Sequence, residues 1–336
     1  MAGPDPAVAL IRGAVRPGLT ASEQPVLVAC SGGADSLALA AAVAFEAPRA
    51  GVPAGAVAVD HGLQSGSAAR ADRTAELLRN LGLDPVTVVR VEVGRDGGPE
   101  AAARTARYAA LRTAAADRGA RIALGHTLDD QAETVLLGLG RGSGPRSIAG
   151  MVADSPPFWR PLLGIRRATT RAACAALELP VWDDPWNTDP AYTRVRLRTE
   201  ALPLLEDVLG GGVAPALART AALLREDLDL LDGLARAELD RLAEEGALPA
   251  APTAALPTAL RRRVLRDWLR DRGVPDVGAV HLGAVDALLT AWRGQGRVDL
   301  PGGAGVVRAS GTLTLLPARD RGGPTSAPDN LEEPDS

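Results

Sequence analysis

Lysine does not occur in this chain: all 37 of its cationic side chains are arginine. Any cationic contact to a phosphate must therefore come from a guanidinium, whose planar fork suits oxyanions. Cysteine is nearly absent as well. Cys30 and Cys174 are the only two, and no C-x-x-C pair exists. That excludes a disulfide framework and argues against a zinc ribbon, an iron–sulfur site or persulfide relay chemistry. Aromatic residues make up 3% of the chain, so its core must be built from Ala, Leu and Val. No apolar run is long and charge-free enough to span a bilayer. The N-terminus, MAGPDPAVALIRGAV, has no basic region ahead of an apolar stretch. These absences lead us to expect a cytoplasmic protein that does not enter the membrane. Its 336 residues suffice for one large or two ordinary domains.

The formal net charge of −4 is unfavourable for a nucleic-acid binder. Its distribution changes that picture. Residues 320–336, DRGGPTSAPDNLEEPDS, hold five acids and Arg321, so the body ahead of them is neutral. This Pro/Gly/Ser-rich tail reads as disordered.

Short β-branched runs alternate with Ala/Leu-rich segments. PVLVA, AGAVAVD, PVTVVRVEV and RIALGH predict strands, and a fifth is expected just before Arg160-Pro161. SAARADRTAELLRNLG and PEAAARTARYAALRTAAADRG predict the helices between them. Such alternation implies a parallel sheet covered by helices, with ligands at the carboxyl ends of the strands. From about residue 200 the pattern becomes mostly helical, ending in RVDLPGGAGVVRASGTLTLLP, which reads as short strands joined by Gly turns. The expected organisation is an N-terminal extension (1–24), a nucleotide-binding domain (25–200), a smaller helical domain (201–318) and the acidic tail (319–336).

The segment VLVACSGGADSLALA carries the most chemistry. An apolar strand ends in SGGADS and a helix follows. Gly32 and Gly33 let the backbone turn sharply and approach a ligand. Ala34 opens the helix, whose free N–H groups point at an anion, and Ser31 and Ser36 add hydroxyls. A tight strand-to-helix turn without ligand is the plainer reading of two glycines. It does not account for the serines and Asp35 around them. Asp35 cannot bind phosphate and would instead reach a Mg²⁺ ion riding on it. The G-K-[ST] of the common P-loop is missing.

SGGADS resembles the pyrophosphate loop of the N-type ATP pyrophosphatases. Further motifs are similar, within that superfamily, to the tRNA(Ile)-lysidine synthases. These are Asp60-His61-Gly62-Leu63, Glu100-x-x-x-Arg104-x-x-Arg107-Tyr108, GHTLDDQAETVLLGLGRGSG from Gly125 to Gly144, RPLL at Arg160–Leu163, and DDPWNTDPAYTRVRLR. The resemblance is strong over residues 25–200 and loose beyond. It implies an α/β, adenine nucleotide α-hydrolase-like (Rossmann-like) domain with a parallel sheet, followed by a smaller, mostly helical domain. It also implies cleavage of ATP between its α- and β-phosphates, so that the loop cradles a departing pyrophosphate and needs no P-loop lysine.

Asp60 and His61 close a strand where an adenosine moiety can be contacted, although a lone loop histidine is usually only hydrogen-bonded. Glu100, Arg104, Arg107 and Tyr108 share one helix face. By spacing alone that is a solvated face. The resemblance implies an arginine serving the active site and the RNA, Arg104 ahead of Arg107. Thr127 and Asp130 have the spacing of a capping box, yet Asp129, Asp130 and Glu133 together leave excess negative charge at a helix start. Asp130 and Glu133 lie on one face and would hold Mg²⁺ or the ammonium groups of free lysine. His126, next to Gly125 at the strand end, would hydrogen-bond the reacting base or act as acid/base. Arg141 sits in a basic loop. Arg194, Arg196 and Arg198, if extended, form a basic stripe for phosphates. Two positions depart from the family pattern, with Trp186 where Ser is usual and Val195 where Asn is usual. RRRVLRDWLRDR is either a solvated face or a surface for a tRNA stem.

The resemblance therefore implies a ligase that uses ATP and Mg²⁺ to join L-lysine to carbon 2 of the wobble cytidine in the CAU-anticodon isoleucine tRNA. Its catalytic residues would be Asp35, Arg104, His126, Asp130 and Glu133, with Asp35 and Asp130 at the metal. ATP would lie against Ser31–Ser36, Asp60, His61 and Gly125, and the tRNA against Arg107, Arg141, Arg194 and Arg196. A homodimer is one option for its assembly. The alternatives are a related tRNA thiolase, which the missing C-x-x-C disfavours, and a non-catalytic nucleotide-binding protein of the same fold.

Overall fold

A computed structural model describes residues 3–318 except 63, 65, 95–97, 143, 244–246 and 275–276, and not the side chains of Pro99, Glu100 and Asn187. The acidic tail and the Glu100 side chain named above lie outside the described residues. The chain divides into two compact units, Met1–Arg225 and Glu226–Ser336.

The first unit holds β1 (Val26–Ala29), β2 (Ala54–Asp60), β3 (Val86–Arg90), β4 (Arg121–Leu124), β5 (Asp154–Ser155) and β6 (Phe158–Trp159) in one sheet of order β3-β2-β1-β4-β6-β5. All pairings are parallel except β5 with β6. The expected strands are present, though β3 and β4 are shorter than their sequence runs, and β6 is the fifth strand placed before Arg160. Helices are α1 (Pro6–Thr20), α2 (Ala34–Ala50), α3 (Ser67–Asn80), α4 (Pro99–Ala116), α5 (Leu128–Gly140), α6 (Pro145–Ile148), α7 (Arg167–Ala176), α8 (Thr193–Arg196) and α9 (Leu202–Val208). A longer helix, α10 (Val213–Leu242), follows.

The period of two along β1 decides which layer each residue serves. Val26 and Val28 pack with Ile11, Val15 and Leu19 of α1 and with the Ala/Leu face of α2. Leu27 and Ala29 pack with Leu111, Ala114 and Ala115 of α4. A strand buried on both faces reads as an unbroken apolar run, as VLVA does. The small Ala side chains of α2 suit a helix almost entirely buried. Residues 6–20 are thus a packed helix of the first layer.

The chain runs outward from β1 through β2 to β3, then returns to β4 on the other side of β1. That reversal opens a crevice beyond the carboxyl ends of β1 and β4, where α/β sheets bind ligands.

The second unit pairs β7 (Leu248–Pro249), β8 (Val298–Asp299), β9 (Gly305–Ala309) and β10 (Thr312–Leu316) in the order β7-β10-β9-β8, all antiparallel. Helices α11 (Ala250–Ala255), α12 (Thr258–Asp271) and α13 (Ala279–Thr290) complete it around Trp268, Leu265, Val285 and Leu313. Most arginines of the α12 run have acidic partners within this unit. Arg261 and Arg262 both reach Asp286, Arg263 reaches Asp232, and Arg270 pairs with Asp267. Among the described residues no single helix is long and apolar enough to cross a membrane.

Candidate active site

The turn after β1 has the geometry its sequence predicts. Gly32 takes φ +85°, a conformation that favours glycine, and a Cβ there would stand 3.0 Å from Thr74 Oγ1. Gly33 caps α2 without a side-chain bond, leaving the first amides of the helix facing the crevice. Ser36 is buried. Its hydroxyl donates to the Gly33 carbonyl at 2.9 Å and accepts from the Ser31 amide at 3.2 Å. Gly125, at the end of β4, closes against this turn. A Cβ on Gly125 would lie 2.9 Å from the Asp35 carbonyl oxygen.

Two cavities flank the turn. One, of about 250 Å³, lies beyond β1 and β2 and is lined by Val57, Val59, Asp60, His61, Trp182 and Trp186, among others. Its lining is predominantly apolar. Asp60 is buried there and accepts the Gly62 amide at 3.0 Å. Burial opposes its ionisation, but the Gly62 amide, Ser67 and Arg90 prevail and hold the carboxyl below its usual range. Burial and the nearby Arg107 lower the His61 imidazole.

The other cavity, of about 640 Å³, lies between β1 and β4 and is lined by Asp35, Ser36, His126, Asp130, Arg167 and Arg198, among others. Ser31, Arg107 and Trp182 line both cavities. The resemblance placed Arg104 ahead of Arg107, but of the two only Arg107 lines the cavities. Arg104 is exposed, lies on the ring of Tyr108 and lines neither cavity. Arg107 is half-buried where the cavities meet, and burial lowers its pKa.

One residue that the motifs did not single out organises the polar cavity. Arg167 opens α7 and reaches Asp130 Oδ1 at 2.6 Å, Glu133 Oε1 at 3.3 Å and Asp35 Oδ2 at 3.5 Å. Thr170, one turn on, donates its hydroxyl to Asp35. A cation in the first turn of a helix opposes the macrodipole. Here four carboxylates, those of Asp130, Glu133, Asp35 and Asp129, offset that and raise the Arg167 pKa against the effect of burial.

The acids of α5 are therefore not an excess of negative charge, as the sequence suggested. Asp129 is bound by Arg166 at 3.0 Å and by the Arg167 amide at 2.7 Å. Asp130 completes the expected capping box, accepting the Thr127 amide at 2.7 Å and the Thr127 hydroxyl at 2.8 Å. Burial raises its pKa, but Arg167, Thr127 and His126 outweigh that and keep it ionised. Glu133 is 0% exposed and lines neither cavity. It accepts from Arg198 Nε at 2.8 Å and from Arg167, with Arg194 at 3.8 Å. Asp35 is pushed upward, by burial first, against the pull of Thr170 and Arg167.

The basic stripe also needs correction. Residues 193–201 are helical, not extended. Helical spacing turns Arg194 and Arg198 inward to Glu133, and Arg196 outward to Glu200 at 2.9 Å. Arg141 is exposed and lines neither cavity. His126 is half-buried, its buried Nδ1 has no hydrogen-bond partner, and burial drives its pKa down to about 3, outweighing the opposing influence of Asp130. It is a neutral imidazole near pH 7.

Mg²⁺ takes one or two carboxylates alongside phosphate oxygens and keeps its other ligands as water. Asp35 and Asp130 line the same cavity at the head of the anion-binding turn, so the donor set fits an ion that arrives with a nucleotide. Among the described residues no group of three or more His, Cys, Asp or Glu side chains forms a metal site by itself.

Residues 10–205 match the PP-loop domain family, and residues 248–314 match the TilS substrate binding domain family. The tRNA(Ile)-lysidine synthase of Streptomyces coelicolor is 54% identical over 349 residues, spanning 93% of this chain and 99% of that protein. The chain belongs to the tRNA(Ile)-lysidine synthase family. The Thermobifida fusca member is 56% identical over 308 residues, covering 90% of this chain and 95% of its own. Among solved structures, the U34-tRNA thiolase NcsA of Methanococcus maripaludis, described with its [4Fe-4S] cluster, aligns over 65% of this chain and 80% of its own, with TM-score 0.54 and 19% identity. That likeness is one of fold. Cys30 and Cys174 are buried, donating to the Ser36 hydroxyl and the Ala34 carbonyl, and burial raises both thiols, Cys174 to about 11. Neither is a ready thiolate.

Proposed function

We propose that this chain carries out the reaction of its family, forming lysidine at the wobble cytidine of the CAU-anticodon isoleucine tRNA from ATP and L-lysine. The observation that carries this reading is the placement of an anion-cradling turn between an apolar cavity and an arginine–carboxylate cavity, with Arg107 lining both.

The adenosine of ATP occupies the apolar cavity, near Asp60 and His61. The phosphates run across Ser31–Ser36 into the polar one. The C2 carbonyl oxygen of the cytidine attacks the α-phosphorus. The bond from that phosphorus to the bridging oxygen of the β-phosphate breaks, and pyrophosphate leaves into the amides and hydroxyls of the turn. Arg107 faces the α-phosphate, where charge grows in the transition state. Mg²⁺ brought by ATP would be held by Asp35 with Asp130 beside it and would neutralise the leaving pyrophosphate. In the second step the lysine ε-ammonium releases a proton to water and its free amine attacks carbon 2. The C2–O bond breaks, AMP departs with the oxygen, and the new C–N nitrogen gives up a second proton to the departing phosphate or to water. Asp130, Asp183 and Asp184 line the polar cavity and supply the carboxylates that lysine's ammonium groups require. His126, held neutral, serves as a hydrogen-bonding group to the base and is no proton reservoir near pH 7. Positioning and electrostatic stabilisation carry the reaction.

Asp35→Asn tests the loop assignment. It should abolish tRNA-dependent pyrophosphate release while leaving tRNA affinity within about twofold of wild type. Weakened tRNA binding with normal pyrophosphate release would overturn the assignment.

A further inference from the structure

The chain has five Trp, two Tyr and two Phe among its 336 residues. In so aromatic-poor a protein, placement is informative. Trp182, Trp186 and Tyr192 all line the apolar cavity beyond β1 and β2. They sit on one segment between α7 and α8, and that segment is anchored at its start. The Trp182 amide donates to the Gly32 carbonyl of the anion-binding turn at 3.0 Å. The Arg70 guanidinium lies 3.9 Å from the Trp182 ring centre. Gln64 joins the two sides, accepting from Arg70 at 2.9 Å and donating to Asp184 at 3.0 Å. Asp184 then accepts the Trp186 amide at 3.0 Å, setting a tight turn that presents the indole.

Trp186 is 38% exposed although it borders an apolar cavity. Its ring and that of Tyr192 are 6.0 Å apart and tilted 34°. Trp186 thus keeps part of its side chain open at the cavity rim, where an aromatic ring can receive a planar ligand. A purine base is such a ligand, with sequence-tolerant stacking. Across the cavity, the His61 Nδ1 is buried without a hydrogen-bond partner and can meet a polar edge of the same ligand.

We propose that Trp186, backed by Tyr192, is the stacking platform for the adenine of ATP, and that residues 182–192 form the strap that carries it. The proposal rests on the reading that ATP occupies this cavity. It assigns a binding role to the position where the family pattern has a serine. The strap starts on the carbonyl of Gly32, so base and pyrophosphate are held by one connected piece of backbone. Trp186 lines the apolar cavity and not the polar one, which favours the nucleotide over a tRNA base as its occupant.

The test measures ATP–Mg²⁺ binding by titration calorimetry for the full chain, Trp186→Ala and Trp186→Phe, alongside steady-state KM values for ATP, lysine and tRNA. All three proteins are compared at a temperature where circular dichroism shows them folded. Removing a stacked base partner should weaken ATP binding and raise its KM about tenfold. KM for lysine and tRNA and the value of kcat should stay within about twofold. Trp186→Phe, which keeps a π-face, should recover most of the loss. Unchanged ATP affinity in Trp186→Ala would overturn the platform while leaving the proposed function standing. A rise confined to the KM for tRNA would likewise overturn it and give the ring to the RNA. Failure of the wild-type chain to bind ATP at all would remove the underlying reading together with the platform.

Discussion

Glu133 illustrates how a side chain can matter at a site without touching the ligand. It is sealed from both cavities, yet Arg167 and Arg198, which do line the polar cavity, converge on it. Removing one member of a buried ionic cluster leaves the others uncompensated, at a cost of about 3–5 kcal/mol. Glu133→Gln should therefore lower unfolding stability by about 3 kcal/mol and reduce turnover through a displaced Arg167. Denaturant unfolding and single-turnover kinetics check both effects, and unchanged stability would contradict the positioning role. His126 makes a second prediction. Its folded pKa, about 3, lies below its unfolded value. The unfolded chain therefore binds the extra proton first, so stability is fully present above about pH 6.5 and is lost as pH falls from there toward 3. Unfolding free energy measured across that window should fall less steeply in His126→Gln than in wild type. An identical slope would mean that His126 is not buried neutral. The sequence pointed to His126 by its place at a strand end and, through the family resemblance, to Asp130 and Glu133, but not to Arg167. Its partners lie 34 and 37 residues away or farther, and its only local sign is a pair of arginines beginning a helix where cations are disfavoured.

Element geometry decides whether these side chains meet. The crevice exists because β4 returns beside β1, and its width is set where Gly125 abuts the backbone of Asp35. Gly125→Ala places a Cβ 2.9 Å from a carbonyl oxygen that has little freedom to move. The start of α2 must then separate from the end of β4, carrying the anion-binding amides with it. Misplacement on this scale costs about 10²-fold in rate. We expect that loss in kcat/KM for ATP with little change in the far-ultraviolet dichroism spectrum; near-normal kinetics would show that the approach is slack. The strands, α3, α4 and the capping box of α5 were legible because alternation, periodicity and capping are local. The helical course of residues 193–201 was not. Its face is decided by the buried Glu133 on a distant helix, and TRVRLR taken alone satisfies an alternating strand equally well. Within the N-terminal extension expected from the sequence, residues 6–20 form a helix whose Val8, Ile11, Val15 and Leu19 recur at helical spacing and are buried.

At the scale of the whole molecule, charge gives a poor guide and its placement a better one. The net −4 resides in the last seventeen residues, and the rest of the chain is neutral. Within the first unit, four arginines, 107, 167, 171 and 198, line the polar cavity. In the second, the arginine run of α12 is mostly absorbed by Asp232, Asp267 and Asp286. Those pairs give the run a structural use, while the Arg262 and Arg270 side chains stay exposed. Its register could not be read from sequence, because two of the neutralising acids, Asp232 and Asp286, sit on other helices. In the proposed function one cleft joins ATP, lysine and the wobble cytidine. The most direct measurement is nucleoside mass spectrometry on a CAU-anticodon isoleucine tRNA transcript incubated with the protein, ATP–Mg²⁺ and lysine, beside reactions lacking lysine or containing methionine tRNA. A lysine-dependent adduct on the wobble cytidine of the isoleucine tRNA alone is the predicted result. Folded protein that forms no adduct, or that modifies both tRNAs equally, would contradict it.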